Sequence, residues 1–354
     1  MRRGVWWLRL ALPAVMPAAI LSSSRQELPR RHPQIEPIPA APETSPPSFA
    51  VKFKDEVSPY PVMALFVMPG ETVPLEAVLT DTLSRYSAEA GDGRIERVGP
   101  ARWRWTAPQS KGVSAIVVRD SASGETIALN AFVLVPRPAA PTIDGFRIGR
   151  HESRALHGDP NYARPQGLVE VTEVNRGTFV SPHFTLGQFV SKQPGGYPKY
   201  LVLRERLLLK LEMLLEEAIR LGLPITTFQI MSGYRTPYYN RSLGNQTRYS
   251  RHLYGDAADI YVDEDGDGVM DDLDQNGRVD LEDAKLLAGV VERLSRSSWH
   301  RPFEGGLGLY RANEAHGPFL HVDVRGHRAR WGGNVGSPST IAPDGRKTEA
   351  DPKK

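Results

Sequence analysis

The chain has 354 residues, 40% of them hydrophobic and 24% charged, which is apolar material enough for two modest globular domains plus linkers. Cysteine is absent, so disulfides and thiolate metal centres are excluded, and any zinc would have to be held by His and carboxylate. The net charge of +3 hides an asymmetry: residues 263–283 carry ten acids and one arginine, leaving 43 basic against 31 acidic residues elsewhere, a balance suited to an anionic polymer or surface.

The N-terminus, MRRGVWWLRLALPAVMPAAILSSSRQ, places basic residues before an apolar stretch at 10–21 and then small polar residues, the layout of a secretory signal over 1–25. Arg9 interrupts the run and no A-x-A site follows, and the stretch falls short of the ~20 residues of a span. A cleaved signal and an uncleaved membrane anchor both fit this pattern. Either way the expectation is export, to the periplasm or to the cell envelope with a tether in the inner membrane. The Pro-rich stretch at 26–48 reads as a stiff, extended spacer.

Residues 49–138 turn to short β-rich runs (SFAVKF, VMALFVM, RWRWTAP, VSAIVV, TIALNAFVLV) separated by PG, GDG and SASGE turns, which predicts a small immunoglobulin-like β-sandwich. Trp103 and Trp105 alternate with Arg102 and Arg104, a pattern that fits either a sandwich core or a sugar-stacking face. The Pro-rich PRPAAP at 136–141 ends this module, and residues 139–166 read as an irregular linker. A further domain is expected over 167–335, with a helix over 200–221 whose Leu203, Leu207, Leu211, Leu214, Ala218 and Leu221 recur at helical spacing. The strand ITTFQIMSGYRT follows, and the polar tail at 336–354 is expected to be disordered. The predicted fold class is therefore α+β: an all-β module, then a domain with a central antiparallel sheet and flanking helices.

In SRHLYGDAADIYV, Gly255 separates His252 from Asp259 and a strand-like run follows, so a loop ending in a strand should bring the two side chains to one point. His321, in the strand-like GPFLHVDVRG, is the best third partner. Two His and one carboxylate leave zinc a fourth position for water, the pattern of a catalytic centre. Taken alone, H-x6-D is a weak signal.

Three segments strengthen it: SGYRTPYYNRSLG at 232–244, SRHLYGDAADI at 250–260 and FLHVDVRGHRARWG at 319–332. Their order and spacing resemble the zinc D-Ala-D-Ala carboxypeptidase family, with its S-G-[YF]-R, S-x-H-x-x-G-x-A-x-D and terminal His strand. That family belongs to a wider group with lysostaphin-type endopeptidases and hedgehog domains. The resemblance spans about 178–332 and leaves out the β-sandwich. It implies zinc held by His252, Asp259 and His321, Arg235 near the substrate, and peptidoglycan peptides, not nucleic acid, as the partner. Ser250 and Tyr234 are expected to shape the loop. Many members carry an acidic general base three residues before the last His, where this chain has Pro318. Asp323 is expected to replace it, because residues two apart on a strand share a face; Glu314 and His316 compete for the role.

The acidic stretch fits calcium. Asp272, Asp274, Asn276, Arg278, Asp280 and Asp283 fall at positions 1, 3, 5, 7, 9 and 12 of an EF-hand-like loop, with Gly277 at position 6 and only the backbone carbonyl of Arg278 contributing. An overlapping register uses Asp263, Asp265, Asp267, Gly268, Asp271 and Asp274. Asp at position 12 predicts modest affinity, suited to calcium-rich surroundings. The expected function is an exported zinc metallopeptidase acting on peptidoglycan stem peptides. The alternative is a catalytically inactive cell-wall-binding or adhesion protein with a calcium-stabilised fold of the same kind.

Overall fold

The computed structural model describes residues 47–78, 85–245 and 247–332. The expected signal or anchor, nearly all of the Pro-rich spacer and the expected disordered tail lie outside the described residues. Among the described residues, no helix is long and apolar enough to cross a membrane.

The β-rich half forms two packed sheets. One has the order Glu56–Ser58, Ala50–Phe53, Thr72–Val78, Arg102–Thr106, Arg94–Gly99, and the other Val62–Val67, Thr126–Val133, Gly112–Asp120, Tyr86–Ala90. Thr72–Val78 and Arg102–Thr106 alternate between exposed and buried positions, as strands with one wet face do. This alternation sends Trp103 and Trp105 into the core. The Trp105 ring is fully buried, and its Nε1 donates to Asp92 O at 3.0 Å.

Val62–Val67 is buried on both faces. One face fills the sandwich and the other meets the second half of the chain, so a single hydrophobic core runs through both halves. Polar ties reinforce the contact. Glu205 accepts from Lys54 Nζ at 3.0 Å and from the Phe66 N–H at 2.9 Å, Arg206 Nε donates to Glu56 at 2.8 Å, and Asn130 Nδ2 donates to Phe179 O at 2.9 Å. Splitting the halves would strand these groups and bare apolar side chains worth about 1.5–3 kcal/mol each, against a total stability of about 5–15 kcal/mol for a typical domain. Residues 165–335 made alone should therefore show no cooperative thermal transition, whereas 47–332 should show one; calorimetry of the two fragments checks this.

The helix expected over 200–221 begins only at Glu205 and ends at Arg220. Lys199–Leu201 is instead a strand paired with Gly167–Val171, where the Tyr200 hydroxyl reaches the carboxylates of Asp144 and Glu170. Strand pairing there outweighs helical periodicity. Leu207, Leu211, Leu214 and Ala218 form the buried face of the helix.

The central sheet has the order Gln229–Ser232, Ala257–Tyr261, Phe319–Asp323, Gly306–Tyr310, Ala329–Gly332, antiparallel except for its last, parallel pair. Another helix, Leu281–Leu294, starts at the end of the acidic stretch and is capped by a reciprocal Asp280–Asp283 box. Residues 139–166, read from sequence as a linker, are packed structure. His151 Nε2 bonds Leu253 O at 2.7 Å, and Asn161 O accepts from Arg204 Nη2 at 3.2 Å and Arg251 Nη2 at 2.8 Å. The lead-in thus braces the turn that carries His252.

Candidate metal centre

His252 sits on a short 3-10 turn, Arg251–Tyr254, closed by Gly255 at φ +68°. Glycine is needed twice over at this position: its φ is left-handed, and a Cβ would lie 2.2 Å from Val202 O. The turn is fixed from within by the buried Arg251–Asp256 ion pair, whose guanidinium lies 4.1 Å from the Tyr162 ring and 4.8 Å from that of Tyr254.

Asp259 and His321 are brought together by register. They are direct cross-strand partners, and Ser232 and Gly308 continue the same row on either side. The structure thus unites His252, Asp259 and His321, all at least 95% buried. Their facing atoms are separated by 3.2 Å (His252 Nε2 to His321 Nδ1), 3.3 Å (His252 Nε2 to Asp259 Oδ1) and 2.9 Å (His321 Nδ1 to Asp259 Oδ1).

The outer partners decide what these atoms can be. His252 Nδ1–H donates to Gly233 O at 2.7 Å, and His321 Nε2–H donates to Asp323 Oδ2 at 3.1 Å. With those protons placed, each neutral imidazole turns a lone pair inward, toward the lone pairs of Asp259 Oδ1. Three acceptors facing one another repel unless something positive lies among them. A tetrahedral zinc with Zn–N and Zn–O of 2.0–2.1 Å would hold its ligand atoms roughly 3.3 Å apart, close to the spacing seen. The donor set therefore fits zinc.

Protons compete for the same place. Burial lowers the pKa of His252, with Arg235 and His321 adding to the effect. For His321, burial is outweighed by the Asp259 and Asp323 carboxylates, and the pKa is pushed up to about 9. Asp259 is buried too, yet His252 and His321 hold it well below the usual carboxylate range. A protonated His321 carries a second proton on Nδ1, toward Asp259 Oδ1, and metal binding would displace it, since bound imidazole must be neutral.

Arg235 stands against this cluster. Its Nη2 donates to Asp259 Oδ2, and its Nε donates to Ser232 Oγ at 2.7 Å. It therefore fixes the carboxylate oxygen turned away from the histidines.

Asp323 shares the face of His321 but not the exposure a base needs. It is fully buried and accepts from the Gly306 N–H at 2.7 Å, Arg325 N–H at 3.1 Å, Arg325 Nε at 3.0 Å and His321 Nε2. These donors, with burial opposing them, hold its pKa well below normal. Pro318 is buried at the start of the strand, Glu314 is exposed on the preceding loop, and His316 accepts from Asn313 Nδ2 while its ring meets Phe319 edge-on. Tyr234 is buried, with its N–H on Phe189 O, in keeping with a loop-shaping role. Sequence reading did not single out Arg325 and Gly233. Arg325 was visible as the next alternate position in H-V-D-V-R, whereas the Gly233 carbonyl carries no side-chain signal.

The acidic stretch forms two similar loops. Asp263 Oδ2 accepts from the Gly268 N–H at 3.1 Å, and Asp272 Oδ2 from the Gly277 N–H at 2.6 Å, with both glycines at positive φ, +84° and +82°. Asp263, Asp265 and Asp267 group in the first loop, and Asp272, Asp274 and Asp283 in the second. Asp271 accepts from the Glu264 N–H at 2.8 Å and Asp280 from the Glu282 N–H at 2.8 Å; Asn276 donates its N–H to Asp272, and Arg278 lies on the exposed rim.

Comparison with curated proteins and with solved structures gives no match. Comparison with family models gives one, described as Peptidase M15, over residues 170–278. The matched stretch holds Arg235, His252 and Asp259 but ends before His321, whose membership of the site rests on geometry. By this match residues 170–278 are similar to the peptidase M15 family.

Proposed function

We propose that the protein is an exported zinc metallopeptidase that cleaves peptide bonds in peptidoglycan stem peptides. The observation that carries this reading is the meeting of three inward lone pairs from His252, Asp259 and His321 beside a guanidinium. Bound zinc would polarise a scissile carbonyl and lower the pKa of water there. The chain's own residues do the rest. His252 is held in its tautomer by Gly233 O, and His321 in its own by Asp323, which acts as a positioning residue. Arg235 orients Asp259, and among the described residues no hydrogen bond engages its Nη1, which leaves a cationic edge for a substrate carboxylate or a developing oxyanion.

Export and an envelope location rest on the signal-like segment 1–25 and the spacer after it. One observation favours the non-catalytic alternative, a cell-wall binder: neither Pro318 nor the enclosed Asp323 offers an accessible carboxylate. The full chain, loaded with zinc and incubated with purified peptidoglycan, separates the two. Mass spectrometry should show products whose summed mass exceeds that of the substrate by one water per bond cut, and none after chelation. No product from the zinc-loaded chain would leave the binding reading.

We further propose that calcium organises the two acidic loops and through them the zinc ligands. Asp263 follows Asp259 by four residues, the Asp271 N–H bonds Val262 O at 2.9 Å, and Val269 packs on Gly317 just ahead of the His321 strand. Both ligand-bearing strands therefore lean on the first loop. A calcium-selective chelator, with zinc maintained, should lower the melting temperature and activity together, and the double change Asp272→Ala, Asp274→Ala should reproduce the loss. Linkage sets the scale at about 2.7 kcal/mol when free calcium is a hundredfold above its Kd. A melting temperature that does not move from chelated to millimolar calcium would rule calcium out.

A further inference from the structure

The row that carries Asp259 and His321 continues through Gly308 to Trp331, its parallel partner on the last strand. Gly306 and Gly308 put no side chain on this face, and the Trp331 ring occupies the space. A Cβ at Gly308 would lie 2.4 Å from the indole Nε1, and one at Gly306 would lie 2.7 Å from its Cη2. The indole thus lies along the strand over both glycines. It is held there by an Nε1 hydrogen bond to the Tyr310 hydroxyl at 2.9 Å and by the Arg325 guanidinium 5.1 Å from its ring. Its centroid is 5.0 Å from that of His321, and it is only part-buried.

Arg235, bonded to Ser232 at one end of the row, and Trp331 at the other therefore flank the metal centre. The Gln229–Ser232 and Gly306–Tyr310 strands are three positions apart in the sheet, which at strand spacing is roughly 14 Å, the reach of about four extended residues. We propose that Trp331 is a substrate-positioning residue: its indole takes the CH-rich face of the group on the amino side of the scissile bond, while Arg235 takes the carboxylate side. This rests on the peptidase reading above and adds to it a substrate direction and a minimum length.

The test compares a tetrapeptide stem with an N-acetylated dipeptide too short to reach the indole, both with the zinc-loaded full chain. Trp331→Ala should raise KM for the tetrapeptide roughly tenfold, as lost aromatic contact does, with kcat and zinc content near wild type and KM for the dipeptide unchanged. Trp331→Phe should fall between. Gly308→Ala should behave like Trp331→Ala, because its methyl displaces the ring. A purely structural Trp331 would shift both substrates equally or lower zinc content, and either result overturns the proposal, as does an unchanged tetrapeptide KM. If the wild-type chain cleaves neither substrate, the peptidase reading falls by itself. Calorimetric binding of the tetrapeptide then decides on Trp331: weaker binding by Trp331→Ala than by wild type upholds it, and equal binding or none overturns it.

Discussion

His321→Ala, Asp259→Ala and His252→Ala should each remove about one equivalent of zinc and take peptidase activity to background, while the chain stays folded. All three donors are needed because two leave the ion too few protein ligands to compete with water. The fold persists because the ladder between Ala257–Tyr261 and Phe319–Asp323 is made by backbone groups. The side chains removed face one another across the metal position and do not form the apolar core. Asp259→Ala has one added consequence: it frees Arg235 Nη2, whose side chain is partly exposed and can be rehydrated. Metal content by emission spectroscopy and far-ultraviolet dichroism, measured on the same samples, check both halves of this expectation. Full zinc retention in His321→Ala would remove that residue from the ligand set.

Asp323→Asn should weaken zinc binding about 10- to 100-fold, the usual effect of losing the outer partner of a metal-bound histidine. The reasoning follows the hydrogens. Asp323 accepts from the Gly306 N–H, from Arg325 and from His321 Nε2–H, so every neighbour of its carboxylate is a donor. Asparagine brings an NH2 group among those donors. If its oxygen stays on Gly306, its nitrogen faces His321, which must then move its proton to Nδ1, the atom that faces Asp259. A proton at that place excludes the metal. Activity should accordingly recover at high zinc. A direct base would give the contrary pattern: zinc affinity unchanged, and kcat lower by roughly 10²-fold at any zinc concentration. Titration of activity against free zinc separates the two roles. Stability should fall as well, since breaking a buried charged pair costs about 3–5 kcal/mol, and Arg325 is paired with Asp323 here.

The meeting of His252 with Asp259 was legible because its signals are local. Ser250 to Asp259 holds a turn, a left-handed glycine and a strand within ten residues, so the geometry that joins His252 to Asp259 is written in one short stretch. The acidic loops are legible for the same reason: each spans twelve residues, and its sixth-position glycine gives away the bend. The β-rich half was legible as strands, since alternation follows from one wet face. What alternation does not carry is a partner for the second face of Val62–Val67, and that partner turned a separable module into part of one core.

The sequence by itself determined the donor types, their order and the strand and loop that hold the first two, because short-range stereochemistry is sufficient for each. Tertiary structure alone decided the rest. It delayed the start of the expected helix to Glu205, because Tyr200 gains strand pairing and two carboxylate partners elsewhere. It made Asp323 an anchor for His321, because the donors around it come from the neighbouring strand and from Arg325. It laid Trp331 beside His321 through a parallel pairing with Gly308, 23 residues earlier in the chain. Such contacts depend on which strands find each other when the core closes, and local propensity is silent on that choice.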